Sequence, residues 1–265
     1  MNILYLGDIM GQVGLELIEE VLPGLRTDLK ADLVIAQAEN VTDGKGVSLV
    51  DFQRLQKAGV DFCTGGNWTL HNSDIFGALG DPKQLIIRPA NYPDGTAGLG
   101  YKYVEVGGKN KVLVVSILGH IVGKDSDKPV NNPLKTIDQI LKSQSDVNKD
   151  AVIVNFHGDY SSEKVVIGHY LDGRVTAVIG DHWHVPTADA RVLPAGTAHI
   201  TDVGMCGALD ASLGVKVSSI IPRWRDGKQT RNILEHEGLK QLNAVLIKTD
   251  LKGLASSIEQ IQRLF

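Results

Sequence analysis

The sequence predicts an α/β protein with mixed sheets. Short apolar runs alternate with amphipathic stretches from the first residue, and a hairpin breaks that alternation near the middle. No linker, repeat or low-complexity stretch divides residues 1–265, so the chain reads as a single domain.

The elements follow in order. "NILYL" is a buried strand, and "VGLELIEEVLPGLRTDL" has helical spacing of Val13, Leu17, Ile18, Val21 and Leu25, with a kink or break expected at Pro23. "DLVIAQA" is a second strand, "LVDFQRLQKAG" a helix closed by Gly59, and "VDFCTGG" a third strand. After "QLIIRPANYP" comes "YKYVEVGGKNKVLVVSIL", which reads as an antiparallel hairpin turning at "GGKN". Residues 118–132 read as a loop, and "NPLKTIDQILKSQ" as a helix with Pro133 in its first turn. "AVIVNF" and "RVTAVI" are strands flanking the helix "SSEKVVIGHYL". "GTAHITDVG", "VKVSSII" and "NAVLIKTD" are short β-like runs. The tail "LKGLASSIEQIQRLF" alternates too little for a strand and is expected to be a closing helix.

Composition removes several classes. With 43% hydrophobic and 22% charged residues the chain is an ordinary globular protein, and its net charge of −4 offers no basic field for DNA. It gives no support for an RNA substrate either, although short RNA ends stay open. Cys63 and Cys206 form no zinc or redox motif and fit a reducing cytoplasm, the expected location. The opening "MNILYLGDIMG" lacks the basic region of a signal peptide, and no apolar run reaches the roughly 20 residues that span a bilayer. A membrane partner is therefore not expected, and a homo-oligomer stays open.

The chemistry is legible in where polar residues fall. Asp8 follows "ILYLG", Glu39 and Asn40 follow "LVIAQA", and Asn67 follows "DFCTGG". His157 follows "AVIVNF", and His182 with His184 follows "RVTAVIGD". Ligands of open α/β sheets bind at carboxyl ends of strands, so these side chains can converge. A His-x-His pair on extended backbone would point both rings one way and Trp183 the other. Singly, Asp8 reads as a cap, Asn40 and Asn67 as turn formers, and His157 as a satisfied core histidine. Their joint occurrence at five strand ends favours a metal site. Oxygen and nitrogen donors without thiolate suit Fe, Mn or Zn, and seven donors exceed one tetrahedral ion. "GDIMGQVG" lacks dinucleotide-loop spacing and "DGKGVS" lacks a Walker A frame, so a nucleotide-binding oxidoreductase has little support.

At these residues the chain resembles the calcineurin-like metallophosphoesterases, and most of all their YmdB-like branch. The matching pieces are "GDIMG", "AEN", "GGN", "RPANYP", "NFHGDYSSEK", "GDHWHVPTADARVLPAGTAHITDVGM" and "LGVK". The resemblance implies a four-layer α/β/β/α sandwich with mixed sheets and two metal ions, iron or manganese ahead of zinc. It implies that Asp8 binds the first ion and Glu39 bridges both. Asn40 and His184 would complete the first shell, while Asn67, His157 and His182 would hold the second. The implied reaction is phosphodiester hydrolysis by a metal-bridged hydroxide, on cyclic nucleotides of the 2′,3′- or 3′,5′-cyclic AMP type.

One departure bears on activity. The family usually reads Gly-Asn-His where this chain has "GNWTLHN", so Trp68 stands in place of the histidine that protonates the leaving oxygen. An indole cannot do this. His71 is the candidate replacement if the turn brings it inward. The alternative function is a catalytically weak or inactive metal-binding regulator. "HWH" also replaces the commoner His-Thr-His without touching the ligands.

Overall fold

The computed structural model describes residues 1–123 and 126–265. The chain begins β1 (Asn2–Leu6), β2 (Asp8–Ile9), α1 (Gly11–Leu29), β3 (Leu33–Gln37), α2 (Leu49–Ala58), β4 (Phe62–Thr64) and α3 (Phe76–Gly80). The hairpin β5 (Tyr101–Val106) and β6 (Asn110–Leu118) follows, then α4 (Pro133–Ser143), β7 (Ala151–His157), α5 (Ser161–Tyr170) and β8 (Ala177–Asp181). The last third holds β9 (Arg191–Val192), β10 (Ala198–Ile200), β11 (Met205–Ala208), α6 (Val217–Asp226), β12 (Lys240–Thr249) and β13 (Ala255–Leu264).

One sheet runs β2-β11-β12-β1-β3-β4, with β13 pairing β12; the other runs β5-β6-β7-β8-β10-β9. The pairs β1–β3, β3–β4, β6–β7 and β7–β8 are parallel, whereas β12 runs antiparallel to β1 and β5 antiparallel to β6. Both sheets are therefore mixed, as expected. Their strands read as unbroken apolar runs because both faces are buried. Ile3 and Tyr5 of β1 join Ile153 and Ile179 in a core between the sheets. Leu4 and Leu6, on the opposite face of β1, pack with Ile18 of α1 and Leu55 of α2. On the far side, Val152 and Val154 meet Ile137 of α4 and Ile167 of α5. The layers are thus helix, sheet, sheet, helix.

Three local expectations need correction or refinement. The tail is strand β13, paired with β12 from Ala255 to Leu264. Ile258 packs toward the inter-sheet core and Ile261 toward the outer core, so each strand face carries apolar residues and alternation disappears. Asp250 Oδ1 accepts from the Lys252 and Leu254 amides to close the preceding turn. "VKVSSII" is no strand: residues from Val217 on form α6, where Ile220 is the buried residue and Gly227, at φ 66°, caps the end. Helix α1 continues through Pro23 without a break. The predicted loop 118–132 has no helix or strand after Leu118 in its described part; residues 124 and 125 lie outside the described residues. Among the described residues no helix is long and apolar enough to cross a membrane.

Candidate metal centre

Parallel strands bring their carboxyl ends to one edge of the two stacked sheets. From the first sheet come Asp8, opening β2, Glu39 and Asn40 after β3, and Asn67 after β4. From the second come His157 and Asp181, the last residues of β7 and β8, followed by His182 and His184. Gly66 makes the junction between the sheets close: a Cβ there would stand 2.3 Å from His157 Cδ2.

The fully buried His157 ring is the hub. Its Nδ1 lies 2.6 Å from Asp181 Oδ1. Asp181 can only accept, so Nδ1 carries the proton and Nε2 presents its lone pair. That same Nε2 is 2.8 Å from Glu39 Oε1, 3.0 Å from Asn67 Oδ1 and 2.8 Å from His182 Nδ1. A single ring nitrogen cannot bond three such neighbours, and two of them are oxygens with nothing to donate. Lone pairs gathered this closely repel unless a cation stands among them. Without a metal ion, a second proton on Nε2 answers the same demand: burial disfavours the imidazolium, yet Glu39 and Asp181 together raise the pKa of His157 well above the ordinary value.

Around the hub lie buried atoms with no hydrogen-bond partner among the described residues: Asp8 Oδ1, Asn40 Oδ1 and His184 Nδ1. His184 Nε2 is 3.9 Å from Asp8 Oδ1. Asp8 is raised well above the usual carboxylate range by burial and then by Asp181. Burial, followed by His182 and His157, pushes His184 down to about 4, leaving it neutral with a lone pair to give. Orphaned oxygens and a neutral imidazole form a donor set that fits divalent metal ions. Asn40 joins Glu39, His182 and His184 along a cleft of about 630 Å³.

The His-x-His pair reaches this place by a route other than the extended strand expected. His182 and His184 lie beyond β8 with φ of 105° and 63°, a left-handed backbone that non-glycine residues adopt at a cost of about 1–3 kcal/mol each. Asp8 Oδ2 accepts from the His182 amide at 3.2 Å, and Asp202 Oδ2 from the Trp183 amide at 2.9 Å. Trp183 lines the same cleft, where its Nε1 donates to Asp159 O and the buried Lys164 ammonium sits 4.0 Å from its ring centroid.

Two carboxylates escaped the sequence reading, Asp181 and Asp159. Asp159 Oδ2 is 3.3 Å from His182 Nε2, so each carboxylate orients an imidazole of the cluster. Asp181 Oδ2 also accepts from Tyr5 Oη, Asn155 Nδ2 and Gln37 Nε2. "GDHWH" places Asp181 next to His182 and "HGDY" places Asp159 two residues after His157, yet each carboxylate orients the ring of the other histidine, so sequence proximity does not give the pairing.

Trp68 borders the cluster directly, its amide donating to Glu39 Oε2 at 2.9 Å. His71, the candidate acid, is exposed and lies edge-on to the Trp68 indole at 5.6 Å between centroids. Among the described residues its ring makes no hydrogen bond to the cluster, so the turn has not brought it inward.

Comparison with known proteins accords with this geometry. The profile of the YmdB-like protein family matches residues 4–261. A 2′,3′-cyclic-nucleotide 2′-phosphodiesterase of Bacillus subtilis (strain 168) is 36% identical over 250 residues, covering 94% of this chain and 92% of the relative. The crystal structure of a phosphatase from Mycoplasma pneumoniae superposes with a TM-score of 0.91 at 31% identity, covering 100% of this chain and 93% of that one. A hypothetical protein from Thermus thermophilus gives 0.89 at 34% identity, covering 100% and 99%. The stacked mixed sheets are the metallophosphoesterase sandwich, and the chain belongs to the YmdB-like family.

Proposed function

We propose that this enzyme is a metal-dependent phosphodiesterase that hydrolyses cyclic nucleotides of the 2′,3′- or 3′,5′-cyclic AMP type at a two-metal centre, with iron or manganese ahead of zinc. The observation that carries the reading is the convergence of Glu39, Asn67 and His182 on His157 Nε2. The Bacillus subtilis relative, named for such a reaction, supports the substrate class. Asp8, Asn40 and His184 would hold one ion, Asn67, His157 and His182 the other, and Glu39 would serve both. Bound metal ions supply Lewis acidity toward phosphoryl oxygens and an activated water. The chain's own residues do the rest. Asp181 and Asp159 fix the rings of His157 and His182, and the Trp68 amide fixes Glu39. Lys45 and Arg223 line the cleft and attract an anionic substrate. We read residues 1–265 as one domain working in the cytoplasm, since the inter-sheet core draws on both sheets.

The test is metal analysis followed by assay with bis-p-nitrophenyl phosphate and cyclic nucleotides, on protein loaded with Mn²⁺ or Fe²⁺. The expected result is chelator-sensitive turnover that Asp8→Ala and His157→Ala abolish. An inert intact protein, or variants as active as the parent, would refute the reading. Trp68 favours a second reading, a metal-binding regulator with little activity, because the residue after β4 whose amide holds Glu39 carries an indole and not an imidazole. Bound metal without hydrolysis of any phosphoester would select it.

A further inference from the structure

The residue before the second turn glycine of "DGKGVS" stands over the indole of Trp68, the residue found in place of the expected proton donor. We propose that Lys45 protonates the leaving oxygen of the phosphodiester, a role that rests on the phosphodiesterase reading above. Lys45 Nζ lies 4.8 Å from the centroid of the Trp68 indole, and both side chains line the cleft with Glu39 and Asn40. Among the described residues no carboxylate lies within ion-pair distance of this ammonium, so its charge stays available to a ligand.

The loop that carries Lys45 is built onto the candidate metal centre. Asn40 Nδ2 donates to Gly44 O at 3.1 Å, while the Oδ1 of the same amide is one of the orphaned buried atoms. The Lys45 amide donates to Thr42 O and the Thr42 amide to Gly46 O, closing a turn with Gly44 at φ 75° and Gly46 at φ 74°. Thr42 Oγ1 is in turn tied to Asp51 Oδ2 and accepts from the Ser48 amide. The position of Lys45 is therefore set by Asn40 and Thr42, and the indole offers its ring face to the ammonium through cation–π attraction.

The other donors around the indole are less suited. The Trp68 indole does not give up its proton, the His71 ring makes no hydrogen bond to the cluster among the described residues, and Lys128 Nζ stands farther from the ring centroid, at 5.7 Å, and does not line the cleft with Glu39 and Asn40. Arg223 is committed to Thr230 O, Thr230 Oγ1 and Asn232 Oδ1, and a guanidinium does not deprotonate. An alkylammonium is a stronger acid than an alcohol, so transfer to a departing alkoxide runs downhill. In the step, water oxygen forms the new bond to phosphorus and its proton passes to solvent. The bond from phosphorus to the leaving oxygen breaks with its electron pair on that oxygen. One Nζ proton moves onto the oxygen to give a hydroxyl, and the neutral amine takes a proton back from water.

The experiment compares Lys45→Ala and Lys45→Met with the parent on a dialkyl phosphodiester and on its bridging phosphorothiolate, whose sulfur leaves without a proton. Metal content is measured in each protein to establish that the centre is loaded. The expected result is a kcat loss on the oxygen ester within the 10²–10⁴-fold range of general acid catalysis, and a change of about threefold or less on the thiolate. Adding Trp68→His to Lys45→Ala supplies an imidazole at the same place and should restore much of the oxygen-ester rate. Equal losses on both esters, or a rise in KM alone, would overturn the assignment and leave Lys45 a phosphate anchor. A parent inert on both esters would instead overturn the phosphodiesterase reading itself.

Discussion

His157 and His199 are both buried in the second sheet, the first closing β7 and the second within β10. His199 Nδ1 sits 3.1 Å from the Val178 carbonyl, its Nε2 has no hydrogen-bond partner among the described residues, and the ring packs against Gly168, where a Cβ would lie 2.7 Å from Nδ1. His157 has a carboxylate on Nδ1 and a crowd of acceptors and a second imidazole on Nε2. Burial pushes both rings toward the neutral form. At His199 it prevails over the Val178 carbonyl and Asp189, and the pKa falls. At His157 Glu39 and Asp181 overcome it, and the pKa rises. A buried histidine becomes a metal-site candidate through what surrounds it.

Replacing the hub should have the largest effect. His157→Ala should weaken metal binding and cut turnover by more than the roughly 10–100-fold typical of an outer-shell partner. Metal titration and steady-state assay check this, and parent-like metal retention would reduce His157 to the standing of His199. Asp181→Asn should come next. Tyr5, Asn155 and Gln37 all donate to the Oδ2 side, so the new amide must keep its oxygen there and turn its NH₂ toward His157 Nδ1. Nδ1 must then accept, which moves the ring proton to Nε2, into the acceptor cluster. Metal affinity should fall about 10–100-fold with little change in melting temperature. Unchanged affinity would mean that Asp181 does not set the tautomer.

The contrast also explains what could be read in advance. Strand ends mark ligand sites in parallel sheets whatever the side-chain details, so Asp8, Glu39, Asn40, Asn67, His157, His182 and His184 were visible as a candidate set, whereas His199 sits in the middle of β10. Asp181 and Asp159 were missed because an orienting carboxylate shows itself only through the ring it touches. The left-handed backbone of His182 and His184 was hidden too, since it is imposed by Asp8 and Asp202 across the chain. The tail failed for a related reason. Ile258 and Ile261 have helical spacing, and only the long-range partner β12 makes their segment a strand.

His199 supplies the smallest prediction and the sharpest control. A glutamine side chain there would keep an N–H for the Val178 carbonyl, so His199→Gln should change stability at neutral pH by about 1 kcal/mol or less. Acid should separate the two proteins. The folded pKa of His199 lies below its unfolded value of about 6.5, so the unfolded chain takes up the proton first. Its contribution to stability is complete above that pH and is lost as pH falls through the folded value. The glutamine variant has no such proton to bind, so its melting temperature should fall less between about pH 7.5 and 5.5 than that of the parent. Both proteins are measured in excess chelator, which keeps any metal release from the candidate centre out of the slope. Parallel acid losses would show that burying an imidazole without a hydrogen-bonded carboxylate has no measurable consequence here, and the distinction drawn between the two histidines would then rest on the candidate metal centre alone.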